Sequence, residues 1–182
     1  MSASRYRPLS DFDGVKLISS ANSTDTRGSF SRVDLNELGL KNIDIWSISS
    51  SVNLRSGTFR GIHLQIAPHE QLKVVWVSNG KLLDVIVDLR RSASTFMQWS
   101  SIELEAGGQA IMVPKGFGHG YLTLEDLTIV NYVFDSPYVP ASSRKINVRD
   151  SELNIEIIQK IRYMSSADES APSLLEFLRE NS

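Results

Sequence analysis

Short β-rich runs broken by turn signals, repeated across residues 43–134, constrain the fold of this chain more than any other feature. The strongest are 71–77 (QLKVVWV), 81–89 (KLLDVIVDL), 99–104, 109–113 and 127–134 (LTIVNYVF). β-Branched and aromatic residues suit a pleated, half-buried surface, and such runs at this spacing are the pattern of an all-β sandwich or barrel. Asn79-Gly80 separates the first two runs, and that pair between strands predicts a hairpin. Gly107-Gly108 and Glu125-Asp126 punctuate later connections. No helical pattern alternates with the runs, so an antiparallel meander is favoured over a parallel α/β sheet.

Alternation then sorts side chains by face. In 81–89, Leu83, Val85, Val87 and Leu89 share a wholly apolar face, while Asp84, Ile86 and Asp88 share the other. Gln71, Lys73, Val75 and Val77 form a second mixed face, and Thr128, Val130, Tyr132 and Phe134 a third. Isolated charges of this kind fit a solvated sheet face; their recurrence in mid-strand points to a lined cavity.

The ends differ in character. Residues 34–38 predict one helical turn, with Asp34 and Glu37 as a capping pair and Gly39 as the stop. Residues 172–179 predict a short C-terminal helix whose Leu174, Phe177 and Leu178 form an apolar docking stripe, which would hold the preceding Ser165-Ser166-Ala167-Asp168 in place. A length of 182 residues suits one well-cored domain, expected to span 1–182.

Composition removes several function classes. The net charge of −2 lacks the basic excess of a nucleic-acid binder. With no cysteine there is no disulfide, thiolate nucleophile or Cys-ligated zinc. No apolar run approaches the roughly 20 residues of a membrane span, and residues 1–14 lack the apolar centre of a signal peptide, so the expected compartment is the cytoplasm. There is no Gly-x-Ser-x-Gly elbow and no Gly-rich phosphate loop.

The chemistry concentrates in Arg60-Gly61-Ile62-His63-Leu64-Gln65, followed by Lys73. A guanidinium suits a phosphate, an imidazole suits proton transfer, and an ammonium suits a developing oxyanion. Together they could enolise a ketone carried on a phosphate-bearing handle. A histidine between Ile62 and Leu64 equally fits a packed, hydrogen-bonded core residue. Arg60 and His63 are three apart and by strict alternation point to opposite faces, so either Gly61 marks a bulge or one of the two serves another region. A cupin-like metal site is poorly supported, because His63-Leu64-Gln65 lacks the second imidazole of a His-x-His pair, and His69-Glu70 follow Pro68 in an expected turn.

The chain resembles the dTDP-4-dehydrorhamnose 3,5-epimerase family over nearly its whole length. The resemblance is carried, in order, by Asp25-Thr26-Arg27-Gly28-Ser29-Phe30, then by Gly57 through Gln65, and by Gln71-Leu72-Lys73. It continues through Asp84 to Arg90, Val113 to Gly120, Tyr132 with Tyr138, and Ser166-Ala167-Asp168 with Ala171-Pro172-Ser173-Leu174-Leu175. It implies a metal-free antiparallel jelly-roll (cupin-like) barrel with short N- and C-terminal helices, needing no cofactor. It also implies a homodimer that epimerises a nucleotide-linked 4-keto-6-deoxyhexose. By the same resemblance His63 is the general base, Asp168 orients it, Tyr132 is the acid on the opposite face, and Lys73 holds the C4 oxygen. Arg27 and Arg60 would meet the diphosphate or nucleotide, Tyr138 the base or sugar, and Gln65, Asp84 and His119 complete the substrate-binding set.

The chain departs from the family at Arg32, where an acidic residue is usual, and at Ile48-Ser49-Ser50, where Gln-x-Asn is usual. These positions are associated in the family with nucleotide and phosphate contacts, which leaves cytidine or guanosine diphosphate sugars as alternatives to the thymidine one. A single-centre epimerase or ketoisomerase on such a 4-ketosugar, and a non-catalytic nucleotide-sugar binding module, are the competing readings.

Overall fold

The computed structural model describes residues 5–40, 44–156 and 160–181. Residue 43, where the β-rich tract was expected to begin, lies outside them. Twelve strands are described: β1 (Lys16–Ser19), β2 (Ala21–Asp25), β3 (Gly28–Arg32), β4 (Ser47–Asn53), β5 (Phe59–Gln65), β6 (Lys73–Asn79), β7 (Lys81–Asp88), β8 (Trp99–Glu105), β9 (Gln109–Val113), β10 (Phe117–Thr123), β11 (Thr128–Phe134) and β12 (Ser143–Lys145). The five runs expected from the sequence correspond to β6, β7, β8, β9 and β11. Two short helices follow, α1 (Ser166–Glu169) and α2 (Leu174–Glu180).

The strands form two antiparallel five-stranded sheets, ordered β1-β9-β6-β11-β4 and β12-β5-β10-β7-β8, and β2 and β3 make a separate hairpin. From β4 onward the chain switches sheet at nearly every connection; only β7 and β8 are consecutive and paired. This is a jelly-roll, as expected, but the expected meander is corrected. Asn79-Gly80 reverses the chain with Gly80 at φ 78°, yet β6 pairs with β9 and β11 while β7 pairs with β8 and β10. Gly107-Gly108 and Glu125-Asp126 are likewise corners between sheets. A turn signal specifies a sharp reversal. Whether the two arms pair edge to edge or face each other across a core depends on which faces must be buried.

Burial shows why the arms face each other. Leu82 and Ile86 of β7 pack inside the barrel with Val75, Val77, Ile111, Tyr121 and Val130, while Val85 and Val87 pack on the outside of their sheet. There they meet Ile146, Val148, Leu153 and Ile155, together with Leu174 and Phe177 of α2. Both faces of β7 are therefore covered, and the inner one carries the buried carboxylates Asp84 and Asp88 as well as Leu82 and Ile86. The stripe on α2 docks as expected, and the helix begins with a capping box between Ser173 and Glu176.

The expected turn at 34–38 is present as a single hydrogen-bonded turn: Glu37 N–H donates to the Asp34 carbonyl (3.1 Å), Gly39 N–H to the Asn36 carbonyl (2.9 Å) and Leu40 N–H to the Leu35 carbonyl (3.2 Å), with Gly39 at φ 78° as the stop. The Asp34 carboxylate accepts from the Asn36 backbone N–H (2.9 Å) and side-chain amide (2.8 Å), which caps the start of that turn. A further helical element, a 3-10 turn, lies nearer the N-terminus at Leu9–Asp11. Among the described residues no helix is long and apolar enough to cross a membrane.

Candidate active site

A cavity of about 560 Å³ opens between the two sheets, with Arg60, His63, His119 and Lys145 on one wall and Lys73, Tyr132 and a row of β4 serines on the other. A larger groove of about 740 Å³ lies under the β2–β3 hairpin, but among the described residues its only ionisable lining group is Arg32.

The Arg60–His63 conflict is resolved by a bulge. β10 pairs His119 with His63 and Tyr121 with Arg60, so a step of two residues on β10 is matched by a step of three on β5. The extra residue resets the alternation, and both side chains reach the cavity. Gly61 sits at φ 137°, and a Cβ there would overlap the Gly120 Cα and lie 2.9 Å from the His119 carbonyl oxygen. Only glycine fits.

His63 Nε2 lies 2.7 Å from Asp168 Oδ1. Asp168 is buried in the single turn of α1, where its backbone N–H donates to the Ser165 hydroxyl. Burial opposes its ionisation, but hydrogen bonds from His63 and Lys145 outweigh that and hold the carboxyl well below the usual carboxylate range. An ionised carboxylate only accepts, so Nε2 carries the imidazole proton and Nδ1 is left as the basic nitrogen.

Across the cavity, Tyr132 stacks on Phe134 (centroids 5.6 Å apart) and presents its edge to His119 (6.4 Å). Burial, followed by Tyr121 and Asp84 and only partly offset by Arg60, pushes its phenol well above the ordinary tyrosine value. It is therefore a neutral proton donor. Lys73, buried on the neighbouring strand β6, is pushed down to about 8 by desolvation against the pull of Asp84. At neutral pH its ammonium remains the main form.

The other expected residues have more varied placements. His119 lines the cavity, and its Nε2 lies 2.7 Å from Asp84 Oδ2. Asp84 itself sits behind it, 1% exposed, with Oδ1 lacking a hydrogen-bond partner among the described residues. It acts on the site through His119 and its field, not by lining the cavity. Gln65 lines the wall, but its amide is taken up by the backbone, donating to the His69 (2.6 Å) and Pro137 (3.1 Å) carbonyls and accepting from Val139 N–H (2.6 Å). It clamps the segment that sets Tyr138, 66% exposed, at the rim.

Arg60 is aimed by Asn53, whose Oδ1 accepts from Nε at 2.8 Å. Arg27 is not brought to this cavity. It sits at the tip of the β2–β3 hairpin, paired with Asp25 at 2.5 Å and with its side chain 88% exposed. Arg32 lies over the Phe30 ring on the same hairpin. His69 is exposed in its turn and bonded to the Ser142 hydroxyl.

Ile48, first residue of the segment where the family usually has Gln-x-Asn, points outward, 71% exposed. The register of β4 on β11 sets Ser49 opposite Tyr132, so Ser47, Ser49 and Ser51 line the wall. Asn53 and Lys145 were not anticipated. Both lie on strands whose register alone reveals them.

Comparison with known proteins gives the family. Residues 10–176 match the family model described as dTDP-4-dehydrorhamnose 3,5-epimerase. The enzyme of that name from Sinorhizobium fredii is 36% identical over 167 residues, covering 89% of this chain and 86% of the relative. A crystal structure of the Bacillus anthracis dTDP-4-dehydrorhamnose 3,5-epimerase with TDP and pyrophosphate bound is 34% identical, with a TM-score of 0.81, over 88% of this chain and 94% of that one. A 3'-monoepimerase from Streptomyces bikiniensis in complex with dTDP-quinovose is 28% identical, with a TM-score of 0.82, over 92% and 87%. A match spanning strands, bulge and cavity alike makes this chain a member of the dTDP-4-dehydrorhamnose 3,5-epimerase family of isomerases.

Proposed function

We propose that the protein is a cytoplasmic homodimeric enzyme, one catalytic domain per chain, that inverts C3, C5 or both in a nucleotide-diphospho-4-keto-6-deoxyhexose. The observation that carries this reading is the opposition of His63 on one sheet to Tyr132 on the other, with Lys73 lining the same cavity from the strand next to that of Tyr132. His63 Nδ1 takes the proton from a carbon next to the C4 ketone. The electron pair moves onto the C4 oxygen as an enolate, and Lys73 balances the new charge. Tyr132 then protonates the same carbon from the opposite face. Net inversion needs no redox step; the phenolate and imidazolium reset by proton exchange with solvent. Arg60 and Tyr138 hold the remote nucleotide, whose binding energy positions the sugar.

The dimer is supported by unpaired surface. β4 is an edge strand, and Trp46, Ile48, Val52 and Leu54 along it are 56–71% exposed. Arg27 stands outside its own cavity on a projecting hairpin, which suits a contact with the cavity of a second copy. Light scattering at micromolar concentration checks the dimer, and a stable monomer counts against it.

The decisive assay is proton NMR in heavy water with thymidine, cytidine and guanosine versions of the 4-keto-6-deoxy sugar. An epimerase incorporates deuterium beside the ketone and forms the inverted sugar; a binding module does neither. The similarity to a 3'-monoepimerase favours one second reading, inversion at a single centre, which the same spectra resolve carbon by carbon.

A further inference from the structure

Lys145 lines the cavity, yet the proton-transfer scheme above gives it no part. The register of β12 on β5 sets it directly opposite His63, and its Nζ donates to Asp168 Oδ1 at 2.7 Å. That same oxygen lies 2.7 Å from His63 Nε2. One carboxylate oxygen thus serves both an ammonium and an imidazole.

The arrangement bears on what a buried base can do. Asp168 is 3% exposed, and a carboxylate removed from water needs a counter-charge close by. If His63 had to supply it, the imidazole would be held as imidazolium and could not accept a proton. A lysine ammonium supplies it throughout the pH range in which an imidazole titrates. Lys145 supplies the ammonium and His63 the imidazole bonded to Asp168 among the described residues. Their hydrogen bonds together keep that carboxyl ionised despite its burial.

We propose that Lys145 is a positioning residue: its ammonium neutralises the Asp168 carboxylate, so that Asp168 orients His63 while leaving the imidazole neutral and able to take up a proton. The inference rests on His63 being the base. The other charged and titratable groups around His63 come from every neighbouring element. β10 contributes Tyr121 and His119, the latter tied to Asp84 of β7; β6 contributes Lys73, β11 Tyr132, the segment after β11 Tyr138, and β5 itself Arg60. Each is unchanged by a substitution at Lys145, which makes that position a clean probe.

The test needs no substrate. The full chain, labelled with ¹⁵N, is titrated by NMR on its histidine rings as the parent, Lys145→Met and Lys145→Arg. Removing a cation that shares the carboxylate is expected to move the His63 titration up by about one pH unit or more in Lys145→Met. Lys145→Arg keeps the charge and is expected to titrate with the parent. Lys145→Gln serves in the same way should the methionine variant fail to fold. In turnover, the acidic limb of kcat/KM for deuterium wash-in moves up by the same interval while the plateau stays within a few-fold.

A His63 titration unmoved in folded Lys145→Met or Lys145→Gln overturns the proposal. So does a lowered plateau with an unmoved limb, which is the signature of a packing or substrate contact. If the parent turns over no 4-ketosugar, the function proposed above fails, and the titration still decides whether Lys145 controls the charge of His63.

Discussion

Tyr132→Phe separates the acid from the base. Phenylalanine keeps the ring, so the stack on Phe134 and the edge contact with His119 survive. The loss of one buried hydroxyl costs about 1 kcal/mol of stability, small against the total. The chemical loss is much larger. In the parent, burial keeps the phenol protonated far into alkaline pH, as the proposed acid must be. A positioned general acid contributes roughly 10²–10⁴-fold, and net inversion should fall by that factor. His63, on the opposite wall and still held by Asp168, continues to remove a proton and to return deuterium to the same face. Proton NMR in heavy water, following loss of the signals beside the ketone against appearance of the inverted sugar, reads both events in one sample. Wash-in should stay within about tenfold of the parent while inversion collapses. Inversion at the parental rate would refute the assignment and make Tyr132 cavity lining, with Tyr138 or a bound water as the acid.

Three further outcomes follow from the same geometry. His63→Ala should lose wash-in and inversion together while nucleotide affinity, measured by calorimetry, stays within a few-fold; substantial exchange in this variant rules out His63 as the base. Because desolvation brings Lys73 down to about 8, its ammonium is present below that pH and is lost as pH rises through it, so kcat should decline above about pH 8. Lys73→Met should remove that alkaline limb and lower kcat by roughly 10²–10³, whereas an unchanged limb would assign it to another group. Gly61→Ala forces a side chain into a positive-φ position against the β10 backbone and should cost about 3 kcal/mol or more, read as a lowered denaturation midpoint. An alanine variant of parental stability would show that the bulge can relax.

The local chemistry of the chain is enough to mark five of the described strands and the apolar outer face of β7, and to set the candidate groups Arg60, His63 and Lys73 close together. Period-two alternation and β-branched runs act over a few residues, and Arg60, His63 and Lys73 stand in one short segment. The α2 stripe is legible for the same reason, since its spacing and capping residues are adjacent in sequence. What tertiary structure decided is everything that depends on distant register. Asn79-Gly80 announces a reversal, but pairing with β9, β10 and β11 turns it into a corner between sheets. One inserted residue on β5, measured only against β10, puts Arg60 and His63 on one face. The register of β4 exchanges Ile48 for Ser47, Ser49 and Ser51, the β2–β3 hairpin carries Arg27 away from its own cavity, and β12 brings Lys145 to Asp168 across 23 positions of sequence. A one-residue shift in a strand reverses its faces at little local energetic cost, so only the cooperative fit of the two sheets selects which side chains enter the site.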